Sequence, residues 1–227
     1  MSLRKRTILI ISIVLGVMLI ASYFITQHFL LNSFIKLEEQ ETREDAERVV
    51  GALNSRITWL EGTIYDWACW DDTYTFASDL NTDYTDKNVL SSTFMSLQID
   101  AFVLTDANGE LLFGKAYDRN TEKYVDIPRG LLTYLATNNL LKSSPAIDSG
   151  AAGITVLTDG TMIIASCPVL TSTGIGPPRG VLTMARYLDD EEIQYLTKTT
   201  LLPINIYPLN SSQMPADFTK ALQQMTP

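Results

Sequence analysis

No charged side chain appears between Arg6 and Lys36, and within that window the run from Ile8 to Ile25 is almost unbroken in its apolar character. About 20 apolar residues in a helix cross the hydrocarbon core of a bilayer, so this segment with its flank to Leu31 is long enough to span one. Arg4, Lys5 and Arg6 precede it. The excess of basic residues on the cytoplasmic side then leaves the N-terminus inside and everything after Leu31 outside. A cleaved leader would carry about 7–15 apolar residues and end in a small-x-small site. Here the run is longer and continues into Tyr23, Phe24, His28 and Phe29, so an uncleaved anchor is expected. His28, the single histidine, reads as an interfacial residue in an aromatic belt. The expected layout is a cytoplasmic stub over 1–6, a membrane helix over 7–31, a helical stalk over 32–45, an extracytoplasmic domain over 46–210 and a tail over 211–227. That makes a single-pass protein of the inner (plasma) membrane.

Setting aside the three N-terminal basic residues leaves 14 Lys and Arg against 26 Asp and Glu, so the exterior part carries a charge near −12. Such a surface disfavours nucleic acid and anionic lipid and suits capture of something cationic or neutral. Its size fits one domain, or at most one and a small lobe. Cys69 and Cys167 are the only cysteines. They either pair outside the cytoplasm or stay as small buried hydrophobes, and sequence does not say whether they meet. One histidine and two distant cysteines make no conventional zinc site, so no metal or other cofactor is expected.

Ala46, Val49, Val50, Leu53, Ile57, Leu60, Ile64 and Trp67 recur at three- and four-residue steps, which predicts a helix from Lys36 to about Phe76 with one apolar stripe. Its polar beginning, Leu37 to Asp45, reads as a stalk braced by pairs such as Glu39/Arg43 and Glu44/Arg48. A helix of this kind suits pairing with its own copy in a homodimer. Ser78 to Tyr84 reads as a loop, and Lys87 to Leu97 as a short helix. Asn108-Gly109 between two apolar runs predicts a hairpin joining strands over 101–106 and 110–115. Pro128 to Asn138 reads as a helix. Gly153 to Leu157 and Thr161 to Val169 form a second hairpin around Asp159-Gly160. After a loop over 174–180 come a strand over Val181–Tyr187, a short helix over Asp189–Leu196 and a last strand over Leu202–Tyr207. One long helix followed by antiparallel hairpins is an α+β plan: a long N-terminal helix packed on a twisted antiparallel sheet.

The densest chemistry is Asp66-Trp67-Ala68-Cys69-Trp70-Asp71-Asp72-Thr73-Tyr74-Thr75-Phe76. Flat aromatic surface beside a carboxylate suits an amine or a polar metabolite. Alternatively the tryptophans plug the helix onto the sheet while the acids cap it or pair. Asp71 and Asp72 on a helix point about 100° apart, so they make no catalytic carboxylate pair. No nucleophile elbow or phosphate loop accompanies them, and catalysis is not expected. Asp79-x-Asn81-x-Asp83 opens like a calcium loop but then places Tyr84 where glycine is needed and Leu90 where a bidentate glutamate is needed.

In this segment, with Tyr84, Asn88, Thr105 to Glu110, Asp159-Gly160, Ser166 to Val169 and Arg179 to Asp189, the chain resembles the fourth type of CHASE domain. That is an extracytoplasmic sensor family of bacterial and archaeal receptors, similar to the Cache and PAS-like domains. The resemblance covers most of the ectodomain and marks Trp67, Asp72, Phe76, Asn88, Gly109 and Gly180 as motif positions. It implies a ligand sensor without an enzymatic activity of its own, of a kind that usually sits between two membrane helices and feeds a histidine kinase, a cyclic-di-GMP enzyme or a chemotaxis signaller. The sequence stops at Pro227 with neither a second apolar span nor an output module, so the expectation is either a truncated receptor or a short stand-alone protein. A small-molecule ligand is expected where the sheet, its loops and the end of the long helix meet. Trp70, Asp71, Tyr74 and Arg186 are its candidate contacts, and Arg186 is expected to neutralise Asp71 or Asp72 if it does not hold an anion. The alternative is a periplasmic protein-docking module with no small-molecule ligand.

Overall fold

A computed structural model describes residues 3–138, 150–209 and 214–225. The chain divides into two compact units, Met1–Val50 and Gly51–Pro227. Helix α1 runs from Leu3 to Ala68 and contributes to both. In the first unit its large apolar side chains from Ile8 to Phe29 stand exposed, and it is long and apolar enough to cross a membrane. Further along, Arg43 pairs with Glu47 at 3.5 Å and Arg48 with Asp45, so Arg43 turns toward Glu47 rather than the expected Glu39. Pairs this exposed add little stability.

The second unit is an α+β domain. The last part of α1 lays Leu53, Ile57, Leu60, Ile64, Trp67 and Ala68 on the core. Leu60, Ile64 and Ala68 are 2 %, 1 % and 0 % exposed; full burial of a Leu or Ile side chain is worth about 1.5–3 kcal/mol. The packed stripe begins at Ala52, whereas Ala46 and Val50 remain exposed. The expected continuation to Phe76 does not occur. Trp70 is extended (φ −116°, ψ 132°), and a new helix α2 runs Asp71–Asp79. Two acids in its first turn suit the positive end of a helix dipole, which is why the break falls there.

The expected loop over 78–84 shrinks to a joint. Leu80 closes α2 in the left-handed region, and Asn81 caps α3 (Thr82–Asn88) by accepting from Tyr84 N at 2.9 Å. The helix expected over 87–97 is split into the end of α3 and α4 (Ser91–Ser96).

Among the described residues six antiparallel strands follow: β1 (Ala101–Thr105), β2 (Leu111–Asp118), β3 (Lys123–Val125), β4 (Ala151–Leu157), β5 (Gly160–Pro168) and β6 (Val181–Tyr187). Their spatial order is β3-β2-β1-β6-β5-β4. Helix α5 (Arg129–Thr137) precedes β4, α6 (Asp190–Thr200) follows β6, and α7 is Ala216–Met225. In the first hairpin only Gly109 takes positive φ (89°); Asp106 Oδ1 accepts from Asn108 N and Glu110 N, both at 2.8 Å. Strand β3 and helix α7 carry no clear signal in the sequence. Leu202–Tyr207 forms no strand; Ile204 and Ile206 alternate inward onto the core without a ladder. Residue 210 of the expected domain and residues 211–213 and 226–227 of the expected tail lie outside the described residues.

The sheet is covered on both faces. Phe102, Leu104, Ile163, Leu182 and Met184 share a core with α1, and Ala101, Val103, Met162, Ile164 and Ala185 share another with Leu131 and Leu135 of α5. Central strands buried on both sides are continuously apolar, as Ala101–Leu104 and Met162–Ala165 are.

Candidate functional site

The expected helix-end constellation divides at the α1–α2 joint. Trp67 meets Phe102 edge-on at 5.8 Å, and Phe76 stacks on Tyr84 at 4.5 Å, so both plug the core. Trp70 is 37 % exposed and leans on Tyr84 at 6.1 Å. Asp71 accepts from Ser172 N at 2.9 Å and from Ser172 Oγ at 2.7 Å, which holds its carboxyl below the usual range. Tyr74 donates to Pro177 O at 3.2 Å, and the Arg179 guanidinium lies 3.9 Å from its ring centroid. The cation on this aromatic surface is the chain's own Arg179. Together these contacts fasten the loop over 172–179 to α2. Gly180, just beyond it, has φ +146°, and a Cβ there would press on the Thr105 carbonyl.

Asp72 diverges from Asp71, as helix geometry requires. It lines a cleft of about 240 Å³ with Thr75, Asn81, Asp83, Tyr84, Lys87 and Asn88. Two of the motif positions thus meet there. Among the described residues no group of three or more His, Cys, Asp or Glu is placed to hold a metal ion.

Arg186 does not join Trp70, Asp71 and Tyr74. Its guanidinium pairs with Glu192 of α6 and donates to Gln98 O at 3.1 Å and Gln98 Oε1 at 2.9 Å. The expected neutralisation of Asp71 or Asp72 is therefore replaced: Asp71 is held by Ser172, and Arg186 needs a carboxylate at the opposite end of β6. Glu192 is fully buried, and it also takes Arg56 of α1 in a two-pronged pair, at 2.7 Å from Nε and 3.1 Å from NH2. Arg56 lies over the Tyr195 ring at 4.5 Å. Arg186 is 4 % exposed, and its Nε makes no hydrogen bond among the described residues. Burial draws its pKa down against the opposing pull of Glu192. One buried carboxylate thus ties α1, α6 and β6 together.

A parallel pair stands beside it. Arg119 Nε donates to Asp100 Oδ1 at 2.8 Å, and Arg119 NH1 pairs with Glu191 at 2.9 Å. Asp100 Oδ2 accepts from Tyr187 N at 2.8 Å. Burial pushes the Asp100 carboxyl up, against the pull of Arg119. Asp100 also lines a cleft of about 240 Å³ at the sheet end, with Ala116, Tyr117, Asp118, Asn120, Val125, Asp126, Pro128, Tyr187 and Asp189. Four carboxylates and two tyrosines line this one opening. Asp118 is held low by Thr121, and Asp189 caps α6 through Glu192 N at 3.1 Å. Asp126 makes no side-chain hydrogen bond among the described residues and is exposed. The residues that sequence reasoning missed, Asp100, Arg119, Arg56 and Glu192, come from four separate segments. Their one sequence signal is a charge beside an apolar run, as at Arg56 next to Ile57 and Asp100 next to Ala101.

Residues 52–207 match the CHASE4 domain family. The methanogenesis regulatory histidine kinase FilI of Methanothrix harundinacea (strain 6Ac) is 28 % identical over 196 residues. The match takes in 86 % of this chain but only 22 % of FilI, so the chain spans about a fifth of that relative. The crystallised domain of a sensory box/GGDEF family protein from Vibrio parahaemolyticus superimposes with a TM-score of 0.52 at 14 % identity, over 70 % of this chain and 63 % of that one. The periplasmic domain of Vibrio cholerae LuxQ has a TM-score of 0.41 at 14 % identity, covering 70 % of each chain. With the family match extending over most of its length, and with the long helix and antiparallel sheet to go with it, the chain belongs to the CHASE4 domain family.

Proposed function

We propose that this chain is the extracytoplasmic sensor of a membrane-anchored signal-transduction receptor, and that it takes a small organic cation, such as an amine, in the cleft at the sheet end. Residues 7–31 cross the membrane, α1 pairs with its copy in a homodimer, and an output module of the receptor, by kinship with FilI a histidine kinase, receives the signal. One observation carries the reading: Asp100 both lines the cleft and accepts from Arg119, whose other arm holds Glu191, the neighbour of the Glu192 that grips Arg56 on α1. A cation drawn to Asp100, Asp118, Asp126 and Asp189 competes with Arg119 for the same carboxylate. Loosening Arg119 shifts α6, and α6 carries the grip on α1.

A second site has a specific observation behind it. The cleft at Asp72 and Asn88 has about the same volume and adjoins Tyr84, on which Trp70 leans. It keeps a ligand near Trp70, Asp71 and Tyr74, where the sequence motif is densest. Thermal-shift screening of the full chain against primary amines, quaternary ammonium ions and polyamines separates the two, because a ligand that binds only the folded state raises the melting temperature. A shift abolished by Asp126→Asn with Asp189→Asn but not by Asp72→Asn supports the sheet-end cleft. The opposite pattern supports the helix-end cleft. No shift with any of these cations, together with capture of a periplasmic protein, favours the docking module.

A further inference from the structure

We propose that Cys69 and Cys167 are a thiol pair built to be converted, by a disulfide-bearing oxidant, into a cross-link that clamps the end of α1 to β5. Cys69 directly follows Ala68, the last residue of α1, and Cys167 is the eighth residue of β5. Both are free thiols here, and each lies close enough to the other to perturb its ionisation. The backbone brings the two segments together: Leu170 N donates to Ala68 O at 3.0 Å, which ties the extension of β5 to the helix end. Cys69 N donates in turn to Tyr65 O at 2.9 Å. The pair is asymmetric. Cys167 is 1 % exposed, while Cys69 is only partly buried. Reagents therefore reach Cys69 first, and Cys167 is placed to resolve.

The chemistry balances with a small-molecule disulfide such as oxidised glutathione. Deprotonated Cys69 attacks one sulfur of the oxidant and expels a glutathione thiolate, leaving a mixed disulfide on Cys69. Cys167 gives up its proton and attacks Cys69 Sγ, expelling the second thiolate. Two cysteine thiols are thereby oxidised by two electrons, and one disulfide is reduced to two thiols. Burial pushes the Cys167 thiol up to about 12 and raises Cys69 as well, so the exchange is slow at neutral pH and faster in alkali. The bond would close a long loop, the kind of constraint that most restricts the unfolded chain.

The test uses the full chain in detergent micelles at pH 8.5 with oxidised glutathione, followed by alkylation after unfolding and by intact mass. The expected product is about 2 Da lighter than the reduced chain, as loss of two hydrogens requires. It is protected at both cysteines, reverts with dithiothreitol and melts roughly 5–15 °C higher. Cys167→Ser should instead stop at the glutathione adduct on Cys69, and Cys69→Ser should gain no adduct. The wild-type mass and alkylation readout stands even if a variant fails to fold. A wild-type chain that keeps the glutathione adduct on Cys69 with Cys167 still alkylatable overturns the proposal. So does a covalent dimer through Cys69, and so does a chain with both thiols unchanged.

Discussion

Replacing Glu192 with Gln is the sharpest perturbation of the ion-pair network. The substitution keeps size and some hydrogen bonding but removes the one carboxylate shared by Arg56 and Arg186. The Arg186 and Arg56 side chains are 5 % and 12 % exposed, so two guanidinium charges would remain in a low-dielectric site, both donating to Gln98 Oε1. Removing one partner of a buried pair costs about 3–5 kcal/mol. For a chain of this size each kcal/mol moves the melting temperature by about 2–4 °C, so the expected drop is about 6–20 °C. Differential scanning calorimetry of the full chain reads this directly. Pairing Glu192→Gln with Arg186→Met should recover part of the loss, because one of the stranded charges is gone, and a double-mutant cycle isolates that coupling. A drop under about 3 °C, less than about 0.8–1.5 kcal/mol, would show that Glu192 holds little and would refute the grip on α1.

Tyr84, pushed up to about 12 by burial, contributes stability that is fully present below its ordinary pKa of 10 and is lost as pH rises toward 12. Wild type should lose up to about 3 kcal/mol more than Tyr84→Phe across that window, measured by urea unfolding at stepped pH, and equal slopes would contradict the assignment. Asp71 behaves oppositely: its depressed carboxyl supports the fold above the usual Asp range and stops doing so as pH falls through the depressed value, so the protection of Ser172 N relative to its intrinsic exchange rate should fall in acid, and Asp71→Asn should remove that fall. Gly180→Ala puts a side chain at φ +146° against the Thr105 carbonyl and should cost more than about 1 kcal/mol, read as a lower melting temperature.

Burial imposes a period on the residues it selects, and that much was legible. Leu53, Ile57, Leu60 and Ile64 mark the packed face of α1, and the apolar runs at Ala101 and Met162 mark central strands. The joint at Trp70 was not, because Trp67, Trp70 and Tyr74 keep helical spacing across a residue whose backbone is extended. Ile204 and Ile206 alternate like a strand, yet alternation reports only which side chains face inward and not whether a neighbour supplies hydrogen bonds. At the candidate site, the aromatic and acidic cluster was visible as composition, but its partners were not. Ser172 lies 101 residues from Asp71, and Glu192 lies 136 residues from Arg56. Pairings at that range depend on topology, and no local pattern encodes them.

Hydrogen exchange across α1 is the most direct test of coupling between the cleft and the helix. The full chain in lipid nanodiscs would be compared with and without the cation that raises its melting temperature most. Protection should change at Leu53–Leu60, around Arg56, and that response should be lost in Glu191→Gln, which frees the far arm of Arg119 but leaves the carboxylates of the cleft in place. Protection changes confined to β1, β2 and β6, with Leu53–Leu60 unmoved, would contradict the coupling.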